Sequence, residues 1–170
     1  MTAKNKAAFF DRDGVINDDT GLYYIYRPED FVLCQGAVEG LKRVHEAGYM
    51  IIIISNQGGI ARGIYTKADT DAVHKKLTDI MAANGVPITE IYYCPHHTDF
   101  GNCLCRKPQP LMIEKAVARF NIDKSQSFML GDRPGDVATG EAAGVRGFQM
   151  KKNSNLLDAV NNCLQAMNQD

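Results

Sequence analysis

The sequence predicts an α/β fold, a doubly wound parallel sheet of about five strands with helices on both faces. Two observations carry that prediction. Short apolar segments alternate with longer stretches of helical periodicity, and the connections between them are short. The run Ile51-Ile52-Ile53-Ile54 is β-branched and apolar at every position, which suits a strand covered on both faces rather than one with a wet side.

Taken in order, Ala7 to Phe10 is a buried-strand pattern followed at once by Asp11. Ala37 to Ala47 spaces Val38, Leu41 and Val44 by three, as a helix does, and Gly48 stops it. The isoleucine strand runs from Tyr49 to Ile54. A helix over Lys67 to Asn84 ends at Gly85 and Pro87, and Glu90 to Tyr93 is the third strand. Pro110 suits the first turn of a helix reaching Phe120. Ser127 to Leu130 is the fourth strand, Asp136 to Ala143 a short helix, Arg146 to Met150 the last strand, and Asn155 to Met167 a closing helix. No repeat, low-complexity segment or linker interrupts the series, so one domain is expected over 1–170.

Composition narrows the partners. Lys plus Arg number 19 and Asp plus Glu 20, a net charge of -1 with no long block of one sign, which argues against nucleic-acid binding by phosphate neutralisation. Hydrophobic residues at 45% and charged residues at 23% argue against disorder. The longest apolar run, Tyr49 to Ile54, falls far short of the roughly 20 residues a membrane span needs. The polar start, Met1 to Lys6, leads into no signal-like stretch, so the expectation is a cytoplasmic monomer with no membrane partner. Three of the five cysteines, Cys94, Cys103 and Cys105, lie close together, which in a reducing compartment reads as a metal site rather than a disulfide framework.

In doubly wound sheets ligands bind beyond the carboxyl ends of the strands. The loops leaving those ends are Asp11 to Gly14, Ser55 to Gly59, Cys94 to Pro108 and Gly131 to Asp136. Asp11 and Asp13, two residues apart beyond a buried strand, carry a desolvation cost that a cation or a functional role must offset. Asp132 adds a third carboxylate, and a few oxygen ligands of this kind suit Mg²⁺ with its retained waters and a substrate phosphate. Each aspartate alone reads equally well as a helix cap or turn residue. A hydroxyl at Ser55 and a cation at Lys107 on neighbouring strand ends favour a common site.

Asp-x-Asp-Gly-Val after the first strand, Ser55 after the second, then Lys107, then Gly-Asp-x-x-x-Asp after the fourth together resemble the four motifs of the haloacid dehalogenase-like phosphatases, over Ala7 to about Gly147. The resemblance implies a Rossmannoid fold and Asp11 as a nucleophile forming an aspartyl-phosphate. It implies Asp13 as acid and then base, and Ser55 and Lys107 holding phosphoryl oxygens. Mg²⁺ is implied between the Asp11 carboxylate, the Asp13 backbone carbonyl and Asp132. In-line phosphoryl transfer asks for the same residue types independently: a nucleophile, positive charge on the equatorial oxygens and a proton for the leaving group. Asp136 either sits behind these groups, orienting Lys107 or metal-bound water, or caps the following helix.

Cys94-Pro95-His96 and Cys103-Leu104-Cys105 form a Cys-x-His … Cys-x-Cys set, read as a structural tetrahedral Zn²⁺ site with no open position. His97 is the alternative to His96. Such a zinc-stabilised loop places Arg106 and Lys107 over the phosphate. The loop, ending Cys-Arg-Lys-Pro, resembles two branches of the superfamily, one hydrolysing D-glycero-D-manno-heptose 1,7-bisphosphate for nucleotide-heptose synthesis, the other histidinol phosphate. Ser55 to Gly63 and Arg106 to Pro110 look closer to the heptose branch, while the short span between the zinc half-sites is nearer the histidinol type. No cap domain fits, because the segments before Ser55 and before Lys107 are already occupied by a helix and a strand or by the zinc loop. Asp19, Asn56, Gln57, Arg62, Arg106 and Arg133 are therefore the expected contacts of a small sugar bisphosphate, the two last for their guanidinium forks. Tyr23, Tyr24 and Tyr26 either meet sugar or cover the core, and Cys34 and Cys163 are ordinary apolar residues. The competing classes are a phosphotransferase, which needs an acceptor usually held under a cap, and a zinc-stabilised binding module without catalysis.

Overall fold

A computed structural model describes residues 4–169. Of the polar start read from the sequence, residues 1–3 lie outside the described residues. Five parallel strands, β1 (Ala7–Phe10), β4 (Met50–Asn56), β5 (Glu90–Cys94), β6 (Phe128–Gly131) and β7 (Arg146–Gln149), form one sheet in the order β5-β4-β1-β6-β7. Between β1 and β4 lie a small antiparallel pair, β2 (Asn17–Asp18) with β3 (Val32–Leu33), and then α1 (Ala37–Glu46). The remaining helices are α2 (Lys67–Ala83), α3 (Leu111–Phe120), α4 (Pro134–Ala143) and α5 (Leu156–Met167).

The strand alternation divides the core in two. Ala8 and Phe10 of β1, Ile51 and Ile53 of β4, and Phe128 and Leu130 of β6 join Leu41, Val73, Leu77, Val160 and Leu164 from α1, α2 and α5. Ala7, Phe9, Ile52, Ile54 and Met129 turn the other way, onto Met112, Ile113 and Ala116 of α3 and Ala143 of α4. Each isoleucine of β4 is thus buried on one face or the other, worth roughly 1.5–3 kcal/mol apiece. This two-sided burial is why the strand reads as an unbroken apolar run.

The doubly wound parallel sheet agrees with the sequence reading, with shifts at element ends. β4 extends past Ile54 to Asn56, and α4 starts at Pro134 rather than Asp136, its proline taking the first helical turn. The β2–β3 pair was not expected, since strands of two residues leave no periodic trace. The order reverses at β1, with β4 on one side and β6 on the other, which makes the crevice between β1 and β6 the switch point where such sheets bind ligands.

Candidate active site

Asp11 leaves β1 at that crevice, its backbone N–H still bonded to the Leu130 carbonyl of β6. Lys107, buried, is the hub. Its Nζ donates to Asp11 Oδ1 at 2.7 Å, to Asp136 Oδ1 at 2.6 Å and to the Ile54 carbonyl at 3.1 Å. All three ammonium protons are thereby used, and the two carboxylates raise the Lys107 pKa in spite of burial. Asp11 Oδ1 also accepts the Arg12 backbone N–H at 2.8 Å. Burial pushes the Asp11 carboxyl up to about 7, the Lys107 charge only partly offsetting it.

Asp136 plays both parts read for it. One oxygen orients Lys107 and the other accepts the Arg133 backbone N–H at 3.1 Å at the start of α4. Only a glycine fits at position 131, because a side chain there would overlap Asp136. Asp132 is buried, its pKa raised by burial and by Asp136, and its Oδ1 has no hydrogen-bond partner. Oxygens of Asp11, Asp132 and Asp136 lie within 4.8 Å of one another. An orphaned buried oxygen among like charges is a donor set that fits a hard divalent cation.

The Asp13 carboxylate points away from that set. It accepts from Arg12 Nη2 at 2.9 and 3.1 Å and Nε at 3.2 Å, from Asn17 Nδ2 at 3.1 Å and from Gln57 Nε2 at 3.1 Å. Burial raises its pKa, but the Arg12 guanidinium and these donors outweigh it and hold the group ionised. With the carboxylate so engaged, only the Asp13 backbone carbonyl is left to offer to the metal that the resemblance implies.

Three of the six assignments to substrate change, those of Asn56, Gln57 and Arg62. Asn56 and Gln57 border the pocket, but their amides are spent within the protein. Asn56 clamps the backbone of Lys107, accepting its N–H at 3.0 Å and donating to its carbonyl at 3.2 Å. Gln57 Nε2 donates to both Asp13 and Ser55 Oγ, the latter at 2.7 Å, and its Oε1 accepts the Tyr65 hydroxyl at 2.6 Å. Because Ser55 Oγ accepts from Gln57, its own proton is free to point elsewhere. Arg62 lies at the rim, bound to Asp99 at 2.7 Å and reaching the Tyr24 hydroxyl at 3.5 Å. Asp19, Arg106 and Arg133 do line the pocket, with Tyr23 and Tyr24. Asp19 pairs with Lys152 at 2.8 Å, Arg106 Nη1 donates to the His96 carbonyl at 3.1 Å, and the Arg133 side chain is 68% exposed. The pocket encloses about 250 Å³.

Beside it stand Cys94, His96, Cys103 and Cys105. The sulfurs are 3.2 to 3.8 Å apart, and His96 Nδ1 is 3.6 Å from Cys94 and 3.3 Å from Cys105. A tetrahedron of thiolates about 2.3 Å from a central zinc has edges of about 3.8 Å, so the four side chains fit one ion. The Arg106 backbone N–H donates to Cys103 Sγ at 3.4 Å. His97 turns instead towards Asp99 and the pocket.

Arg12 and His74 were missed. Arg12 is fully buried, and beyond Asp13 it donates to the Ile25 carbonyl at 2.7 Å and meets His74 Nε2 at 3.1 Å. A trace of His74 is present in the sequence, since Thr70, Val73, His74, Leu77 and Met81 share the buried face of α2.

Residues 6–162 match a family model described as polynucleotide kinase 3 phosphatase. A Photorhabdus laumondii protein named D-glycero-alpha-D-manno-heptose-1,7-bisphosphate 7-phosphatase is 38% identical over 172 residues, 97% of this chain and 93% of that one. A Vibrio cholerae protein named as the beta-heptose 7-phosphatase is 40% identical over 145 residues, 82% and 77% of the two chains. Among solved structures, the D,D-heptose 1,7-bisphosphate phosphatase of B. bronchiseptica, complexed with magnesium and phosphate, is similar with a TM-score of 0.80 at 29% identity, covering 92% of this chain and 86% of that one.

Proposed function

The chain belongs to the polynucleotide kinase 3 phosphatase family of haloacid dehalogenase-like phosphatases, and on that premise we propose that it removes the C7 phosphate of D-glycero-D-manno-heptose 1,7-bisphosphate. The observation that carries the reading is Lys107 bridging Asp11 and Asp136 beside the orphaned Asp132 oxygen, in a chain whose relatives bear that name.

Asp11 attacks the phosphorus in line, forming an aspartyl-phosphate as the sugar C7 oxygen departs. As Asp11 bonds to phosphorus, Lys107 gives up its bond to that carboxylate and, with the Ser55 hydroxyl, holds the transferring oxygens, while Asp136 and Gln57 fix their orientations. Asp13 hands a proton to the leaving alcohol and then takes one from the water that opens the acyl phosphate. Its resting hydrogen bonds favour the ionised form, so the proton it hands over is one taken up from solvent ahead of the first step, and the ionised form left behind is the one the second step needs. The Asp11 carboxylate, the Asp13 backbone carbonyl and Asp132 would hold Mg²⁺, which would supply charge neutralisation on the phosphoryl oxygens. Zn²⁺ on Cys94, His96, Cys103 and Cys105 stiffens the loop that carries Arg106 to the pocket, where Arg106, Arg133 and Asp19 face the rest of the sugar bisphosphate. No described helix is long and apolar enough to cross a membrane.

Phosphate release from heptose 1,7-bisphosphate, histidinol phosphate and hexose bisphosphates, measured side by side, tests the reading. The expected result is the highest kcat/KM on the heptose with the C1 phosphate retained by phosphorus NMR. Faster turnover of histidinol phosphate overturns it.

A further inference from the structure

Arg12 is the largest fully buried side chain in the protein, although guanidinium burial is costly unless every donor is matched. Here each of the three guanidinium nitrogens has a partner, and the partners come from three directions. Nε and Nη2 grip both oxygens of Asp13, Nη2 also meets the Ile25 carbonyl, and Nη1 meets His74 Nε2. A guanidinium has donors only, so His74 Nε2 is the acceptor and its proton sits on Nδ1. Burial, with the Arg12 charge beside it, pushes the His74 pKa down to about 3, in keeping with a neutral ring. The edge of that ring packs against Tyr93 of β5, their centroids 5.3 Å apart.

We propose that Arg12 is a positioning residue that fixes the Asp13 carboxylate beside the phosphoryl site, and that His74 and the Ile25 carbonyl act through it by locking the guanidinium plane. Gln57 marks the place at which the carboxylate is held, since one amide nitrogen spans Asp13 and Ser55. Asp13 itself keeps about a quarter of its side chain open to the pocket shared with Asp11 and Lys107. Ile25 ends the loop that also brings Asp19, Tyr23 and Tyr24 to the mouth, so the plane is set jointly by α2 and by a substrate-facing loop. The inference rests on the reading of Asp13 as proton donor to the leaving alcohol.

Arg12→Met keeps buried volume and removes every donor. Its kcat on the sugar bisphosphate is expected to fall about 10- to 100-fold with KM changed less than about threefold. An aryl phosphate, whose leaving group needs no proton, should lose much less. In an Asp13→Asn background, Arg12→Met should add no further loss. Should Arg12→Met not fold, His74 carries the test. His74→Phe lowers kcat on the sugar substrate, and His74→Gln, which returns an acceptor, restores most of it. Equal losses on both substrates, a loss that multiplies with Asp13→Asn, or a His74→Phe kcat that stays wild-type overturns the inference. Asp13→Asn with wild-type activity on the sugar substrate removes the acid reading itself. Impaired Asp13→Asn with unimpaired Arg12→Met removes this inference alone.

Discussion

At the carboxyl edge of the sheet, the single charge of Lys107 is shared between two carboxylates, Asp11 and Asp136, and all three side chains are buried. At the rim, Arg62 and Asp99 meet across loops with side chains 36% and 54% exposed. Both are ion pairs of similar length, yet they differ in consequence. Removing Lys107 from the first strands two carboxylates in a low-dielectric site, whereas the second loses an interaction that water nearly replaces. The strands and the helix start make the first arrangement rigid. The rim has little regular structure, and beside it stand the four side chains, Cys94, His96, Cys103 and Cys105, that could hold a metal ion.

The largest effect that comparison predicts is at its buried end. Asp11→Asn should abolish turnover to below a few per cent, because an amide is a poor nucleophile and a poor metal ligand. The same change should leave thermal stability in metal-free buffer intact or raise it. The carboxyl's pKa is raised on folding, so its charge costs stability at neutral pH, and the amide carries none. A calorimetric melt beside an activity assay checks both, and an Asp11→Asn protein that turns over normally would break the contrast.

Next comes the zinc loop. Cys103→Ser, or removal of metal by a chelator, should abolish the single bound zinc seen by elemental analysis and lower the melting temperature by several degrees. Activity on a sugar bisphosphate should fall more than on an aryl phosphate, since the loop carries pocket residues while the centre rests on the strands. Unchanged melting and activity in zinc-free protein would put the rim on the same footing as the floor.

Smaller effects sharpen the boundary between the two regions. Arg106→Ala and Arg133→Ala should each cost about 1–3 kcal/mol in kcat/KM on the sugar bisphosphate and much less on an aryl phosphate. Arg62→Ala, which removes only the exposed pair, should cost no more than about 1 kcal/mol of stability. Parallel kinetics and melts rank the three. A loss at Arg62 as large as that at Arg106 would show that the rim pair is not solvent-screened.

At neutral pH His74 gives the smallest signal, and one that grows as the pH falls. Its folded pKa, about 3, lies below the ordinary 6.5, so as pH falls through that window the unfolded chain takes up a proton that the folded one refuses. Stability attributable to this ring is therefore present above pH 6.5 and lost towards pH 3, at most at about 1.4 kcal/mol per pH unit. Urea titrations across that window should show a shallower decline in His74→Gln.

What the sequence disclosed follows the same division. Asp11, Ser55 and Asp132 were legible because each stands at a strand end, where apolar runs mark the fold and a polar residue breaks the pattern, whereas Lys107, well past the end of β5 at Cys94, was legible from its place after the cysteine cluster. His96, rather than His97, completes the cysteine cluster, and spacing alone left both open. Asn56 and Gln57 looked like substrate contacts because they follow Ser55. Their partners, Lys107 and Tyr65, are brought to them by tertiary packing that local pattern does not encode. Arg12 was hidden for the same reason, its histidine partner lying 62 residues away.

Consecutive backbone amides at Arg106 and Lys107 are gripped by different masters, the first by a cluster sulfur and the second by Asn56 at the end of β4. There is no slack between the two grips, so the aperture above the phosphate behaves as a fixed gauge rather than a shutter. The stretch 97–102 has both feet on the cluster and meets the rest of the rim through Asp99 on Arg62 rather than through that gauge. Its length and composition are thus an exchangeable part, one that can be rewritten to admit a differently shaped sugar while the chemistry beneath keeps its calibration.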